Sequence, residues 1–248
     1  MSSIGSNLQE VKRRMATACT GAGRSAQILT SAPPLAAPWA VLSSPVTLLA
    51  VSKTFPAEAV REAHAAGQQA FGENYVQEAL AKIEALAELR QGNAPLQWHL
   101  IGPLQSNKTR PVAEAFDWVH SVDRLKVAQR LSEQRPPQLP PLQVCLQVNI
   151  SQEASKSGFA PAEVLAAAQA VAALPRLQLR GLMAIPEPAA SLQAQRQPHQ
   201  ALRELLLALN AQGLGLDTLS MGMSADLEAA VAEGATLVRV GTAIFGHR

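Results

Sequence analysis

Leu48-Leu49-Ala50-Val51-Ser52-Lys53 is an apolar run of β type that delivers one lysine at its end. It opens a series. Short β-branched or apolar runs recur at 47–52, 69–72, 97–101, 118–121, 143–150, 178–185, 218–221 and 236–240, each ending in small or polar residues and followed by a helical pattern. Those helical patterns set an apolar stripe against a charged face, as in Tyr75, Ala79, Ile83 and Leu86, or Leu202, Leu205, Leu206 and Leu209. Such alternation predicts βα units on a parallel sheet. Eight units in about 200 residues predict an α/β fold, a single (β/α)8 barrel of TIM type, with a doubly wound open sheet as the competing arrangement.

Working outward, Ile4, Leu8, Val11 and Met15 recur at helical spacing, which predicts an extra amphipathic N-terminal helix over 4–20. Seven residues follow Gly241, too few for an eighth outer helix, so the N-terminal helix is expected to cover the last strand. Between that helix and the first run lies a Pro/Ala-rich connection, 21–46, without periodicity. The chain, 1–248, is expected to form one domain.

The composition is 48% hydrophobic and 16% charged, which suits a substantial core and argues against disorder. Basic and acidic residues, 21 and 19, are spread along the chain without a basic block, so no nucleic-acid partner is expected. Cys19 and Cys145 have no metal-type spacing and read as buried small hydrophobes in a reducing, cytoplasmic protein. Glu10, Lys12, Arg13 and Arg14 stand where a signal peptide would need its apolar segment, and Pro33, Pro34 and Pro38 interrupt the apolar stretch 28–42. No membrane span and no metal site are expected, and the lack of an evident exposed apolar stripe favours a monomer.

In a barrel the functional groups gather at the C-terminal ends of the strands. Lys53, Glu73-Asn74, His99, His120 to Asp123, Asn149 to Ser151, Met183, Ser220 to Ser224 and Gly241-Thr242 all fall there. Taken alone, a strand-end lysine reads as solvated or salt-bridged. The nearly apolar approach to Lys53 raises another reading, because a partly desolvated amine is freer to attack aldehydes. His99 and His120 read as hydrogen-bonded structural residues before acid–base groups. The small residues of Ser220-Met-Gly-Met-Ser-Ala-Asp226 and of Gly241-Thr242 leave backbone N–H groups open to a phosphate, with Ser224 adding a hydroxyl. The same Ser224-Ala-Asp226 could equally cap the next helix. Arg239 shares a strand face with Gly241 and needs a partner at the mouth, for which a heterocyclic acceptor would serve. An aldolase-type Schiff-base barrel acting on phosphosugars would use the same lysine and phosphate logic.

The motifs at 49–53, 71–75, 98–102 with 105–108, 120–123, 148–151, 181–183, 220–224 and 240–246 together resemble those of the pyridoxal phosphate homeostasis proteins, small fold-type III relatives of the alanine racemase barrel. The resemblance covers roughly 47–248. It implies that Lys53 holds pyridoxal 5′-phosphate as a Schiff base, that the loops at Ser224 and at Gly241-Thr242 bind its phosphate, and that Arg239 donates to the pyridine nitrogen. Asn74 would line the pocket near the ring, and Met221 would stand among the cofactor contacts. It further implies a protein that holds the cofactor and passes it to dependent apo-enzymes, with no residue assigned as catalytic. An always-charged arginine disfavours protonation of the ring nitrogen, which weakens the ring as an electron sink. Racemase relatives use a tyrosine opposite the lysine, and the single tyrosine here, Tyr75, is not placed there by any pattern in the chain. Nor is there room for the second, β-rich domain of those racemases. A racemase-like enzyme is the alternative. The 21–46 connection is longer than the family pattern, and, lying before the first strand, it is expected on the face opposite the mouth as an ornament or partner contact.

Overall fold

The computed structural model describes residues 3–34, 43–153 and 156–246. Nine parallel strands pair in chain order: β1 (Ile28–Leu29), β2 (Val46–Val51), β3 (Ala70–Glu73), β4 (Gln97–Leu100), β5 (Trp118–Val122), β6 (Leu142–Gln147), β7 (Leu177–Met183), β8 (Thr218–Ser220) and β9 (Leu237–Val240). β9 also pairs with β2, Leu49 opposite Arg239 and Ala50 opposite Val240, so β2 to β9 close into an eight-stranded barrel. The open sheet is thereby excluded. Around it lie α2 (Ala57–Ala65), α3 (Val76–Ala85), α4 (Thr109–Ala115), α5 (Leu125–Gln134), α6 (Val164–Ala172), α7 (Leu192–Ala211), α8 (Leu227–Ala232) and α9 (Thr242–Phe245), with α1 (Ser3–Gly21) from the N-terminal side.

Strand alternation sorts the side chains into two layers. Leu48 and Ala50 face outward into the main core under the helices, with Phe71, Leu100, Val119, Leu182 and Val238. Leu49 and Val51 face inward and meet Ala70, Ile101 and Leu237 inside the barrel. Both faces of β2 are buried, which is why its sequence is a continuous apolar run. Lys53 continues the inward series beyond the end of the strand.

The expected runs at 143–150 and 178–185 overreach. The first gives way to a bridge between Val148 and Phe159, and the second stops at Met183, shortly before Pro186. After β9 a single turn forms, α9, and α1 packs against both α8 and α9 as the missing outer helix. Asn7 Nδ2 donates to Ile244 O at 2.9 Å, and Arg14 pairs with Glu228 at 2.6 Å.

The 21–46 connection is not wholly aperiodic. β1 adds a short parallel pairing at the start of β2. Beyond it Thr30 O accepts the N–H groups of Gln69 and Ala70, Ala32 N donates to Gln97 Oε1, and Arg180 Nη2 reaches Pro33 O. Ala32 shares a buried cluster with Trp118, Cys145 and Met183, and the bonds to Gln69, Ala70 and Gln97 at the starts of their strands make this segment floor the barrel opposite the mouth. Residues 35–42 of the connection lie outside the described residues.

Candidate functional site

The mouth holds a cavity of about 670 Å3, within the range of small-molecule sites. Lys53, Asn74, Ser224, Arg239, Gly241 and Thr242 all line it, together with Val51, Ile101 and Met223. Met221 does not. Its side chain is buried in the outer core, and Met223 takes the place expected of it. Alternation from Ser220, whose hydroxyl meets Arg239 and His120 inside the barrel, turns Met221 outward, and Gly222, at φ +90°, then turns the chain so that Met223 reaches the cavity. A Cβ on Gly222 would lie 2.4 Å from Ala230 Cβ.

Lys53 is half-buried, and among the described residues its amine has no hydrogen bond or ion pair. Its neighbours are held tightly. Ser52 O accepts Lys82 Nζ at 2.7 Å, Ser52 Oγ donates to Glu73 Oε1 at 2.6 Å, and Lys82 pairs with Glu73 at 2.8 Å and Glu78 at 2.6 Å. On the other side Thr54, at φ +65°, donates its N–H to Glu78 Oε1. A threonine in this region stays there only when its surroundings enforce it. Burial pushes the Glu73 carboxyl up from its ordinary value, against the pull of Lys82. Sequence reasoning set Glu73 at the mouth beside Asn74, but alternation from the inward Gly72 turns it outward onto α3. Lys82 was missed, since at i+4 from Glu78 it reads as a surface pair.

Several polar groups at the mouth are open to a ligand. Among the described residues the N–H groups of Ser224, Ala225 and Gly241 have no acceptor, and the hydroxyls of Ser224 and Thr242 have no partner. A Cβ on Gly241 would sit 3.1 Å from Val51 O, so glycine keeps the chain close to β2. Asn74 Oδ1 is buried without a donor among the described residues.

Arg239 closes the inner wall. It donates to Ser220 O at 2.7 Å, Ser220 Oγ at 2.9 Å and Ala184 O at 2.9 Å, while its Nε has no partner among the described residues. Burial pulls its pKa down to about 10, which leaves it charged at neutral pH. Because arginine only donates, Ser220 must give its own proton to His120 Nδ1, 2.8 Å away. His120 then carries its hydrogen on Nε2 and donates to His99 Nδ1 at 2.9 Å. His99 stacks on Trp118, and its buried Nε2 has no partner among the described residues. Burial and the Arg180 charge push His99 down to about 3, and burial with the His99 and Arg239 charges pushes His120 well below its ordinary value. Both imidazoles are neutral structural groups behind the cavity, not in it.

Chemically the mouth offers a free primary amine, a set of unpaired N–H and O–H donors, and a fixed cation on its inner wall. Such a set fits a ligand with a carbonyl, an anionic arm and an acceptor heteroatom. Among the described residues no helix is long and apolar enough to cross a membrane.

Residues 39–248 match the family model described as the N-terminal domain of alanine racemase. The chain is 61% identical over 248 residues to the pyridoxal phosphate homeostasis protein of Pseudomonas aeruginosa, covering 100% of this chain and 97% of that one. It is 50% identical over 248 residues to the protein of the same name from Escherichia coli K12, covering 100% and 98%. Among solved structures, PipY of Synechococcus elongatus PCC7942 with PLP bound is similar at a TM-score of 0.73 and 39% identity, over 94% of this chain and 100% of that chain.

Proposed function

The chain belongs to the alanine racemase N-terminal domain family and, within it, to the pyridoxal phosphate homeostasis proteins, and on that premise we propose that its barrel mouth binds pyridoxal 5′-phosphate through Lys53 and holds it without efficient turnover. The observation that carries this reading is the convergence of an uncommitted amine, unpaired donors and a fixed guanidinium on one cavity. When bound, this cofactor supplies an aldehyde that condenses with amines and a ring that draws electrons. Lys53 meets the aldehyde. The N–H groups of Ser224, Ala225 and Gly241, with the Ser224 and Thr242 hydroxyls, receive the phosphate. Arg239 faces the ring nitrogen, and Asn74 lines the wall beside the ring. Pyridoxal phosphate bound to PipY, a relative aligned along its whole length, supports the choice of ligand.

The absence of turnover rests on what lines the cavity. Among the described residues only Lys53 and Arg239 bring titratable side chains to it. Racemisation needs a second acid–base group across from the lysine. Tyr75 starts α3 at 55% exposure and does not line the cavity, and the two histidines lie behind Arg239. The guanidinium further opposes protonation of the ring nitrogen. The same reading has the protein act as a cytoplasmic monomer that yields its cofactor to dependent apo-enzymes, with both cysteines as buried free thiols.

The test is the absorption spectrum of the purified protein offered pyridoxal phosphate. A visible band is expected in the wild type and its loss in Lys53→Ala. A wild type that takes up no chromophore overturns the reading, and turnover of alanine or serine enantiomers by the loaded protein overturns its non-catalytic part.

A further inference from the structure

Asp226 stands at the start of α8, yet its carboxylate makes no cap to that helix. Oδ1 instead accepts the N–H of Met223 at 2.7 Å, and Oδ2 accepts from His199 Nε2 at 2.8 Å. His199 lies on α7, one residue after the internal Pro198, and is fully buried. Among the described residues its buried Nδ1 has no partner. Burial raises the Asp226 carboxyl, but the His199 bond, the Met223 N–H and the His199 and Arg239 charges outweigh it and hold the pKa below its ordinary value. An ionised carboxylate is therefore fixed between the buried His199 of α7 and the turn 223–225.

The fixing decides which donors of the turn remain. Met223 N–H is spent on Asp226, Gly222 O is taken by Arg239 N, and Asp226 N returns to Met223 O. Ser224 and Ala225 are left as the unpaired N–H groups. We infer that His199 and Asp226 are positioning residues for the anion-binding turn, setting the affinity of the mouth for the phosphate arm of its ligand and not for the aldehyde or the ring. The inference rests on the reading of this mouth as a pyridoxal phosphate site. No property of His199 in the sequence points to this role, since it sits mid-helix, 27 positions from its partner.

Two ligands separate the roles, pyridoxal 5′-phosphate and pyridoxal, which lacks the phosphate. Spectral titration of the full chain with each gives two dissociation constants and their ratio. The wild type is expected to prefer the phosphorylated ligand strongly. In His199→Met the constant for pyridoxal phosphate is expected to rise roughly tenfold, the worth of one charge-assisted hydrogen bond, with that for pyridoxal within about twofold. His199→Gln, whose amide can reach the same oxygen, is expected to restore the preference. If His199→Met does not fold, Asp226→Glu carries the test, because it keeps the charge and misplaces the carboxylate by one methylene, and the same loss of preference is expected. A wild type that binds both ligands equally overturns the phosphate seat itself. A wild-type preference that persists in His199→Met, or in Asp226→Glu in its place, overturns the positioning role alone.

Discussion

Replacing Lys82 with methionine tests the clamp on both sides of Lys53. Lys82 Nζ donates to Ser52 O and to carboxylate oxygens of Glu73 and Glu78, with side-chain exposures of 6% for the lysine and 0% for Glu73. Methionine is unbranched and one atom shorter, and it removes the donor. Glu73 is then left buried with only the Ser52 hydroxyl, its Oε2 being unpaired already. Breaking one side of a buried ion pair costs about 3–5 kcal/mol. For a chain of this length that lowers the thermal midpoint by roughly 6–20 °C. The pH dependence has a definite sign. Glu73 has a raised pKa in the folded state, so its contribution is complete below the ordinary carboxyl value and is lost as pH rises through the folded one. Without Lys82 the folded pKa rises further, and the deficit of Lys82→Met shrinks on acidification. Urea unfolding followed by tryptophan fluorescence at pH 7 and pH 5 reads both effects. Adding Glu73→Gln should recover much of the loss, because the stranded charge is gone. A single variant within about 1 kcal/mol of wild type at pH 7 would refute the clamp as a buried ion pair.

His99 is held neutral down to about pH 3, well under the ordinary histidine value. A depressed folded pKa stabilises above the unfolded value and is lost as pH falls, so between pH 7 and 5 the wild type should lose about 2 kcal/mol more than His99→Gln. Equal losses in urea titrations at the two pH values would remove His99 as the titrating group. Arg239→Gln strips three donated bonds from Ser220 and Ala184 and frees the ring nitrogen of a bound cofactor for protonation. Faster bleaching of the visible band by alanine is expected, and an unchanged rate would show that Arg239 is not the partner of that nitrogen.

Much of the barrel was legible because period-two and period-3.6 patterns report which faces are buried, and β2 is buried on both. The strand-end residues Lys53, Ser224, Arg239 and Gly241 follow from that register, and so does their arrival at one cavity. What failed was local or distant. Met221 was set among the cofactor contacts by the resemblance alone, although alternation from the inward Ser220 turns it outward. Glu73 was placed there by position in the chain, although its parity turns it outward. β1 escaped because two residues carry no period. The His199–Asp226 and Lys82–Glu73 contacts depend on how helices seat against loops, and no spacing within one element encodes that.

The pairing of β2 with β9 joins the earliest and latest strands of the barrel, and α1 reinforces that seam through Asn7 and Ile244. Lys53 extends one side of the seam and Arg239 and Gly241 belong to the other. The pocket is thus a joint between chain ends, not a property of any fragment. A chain emerging from the ribosome has no place for the cofactor until its last barrel strand arrives, and the longest loop in the fold must close before the amine meets the donors across from it. A ligand that binds only the closed ring draws the equilibrium toward closure by mass action, so capture of the cofactor adds to the stability of the completed barrel.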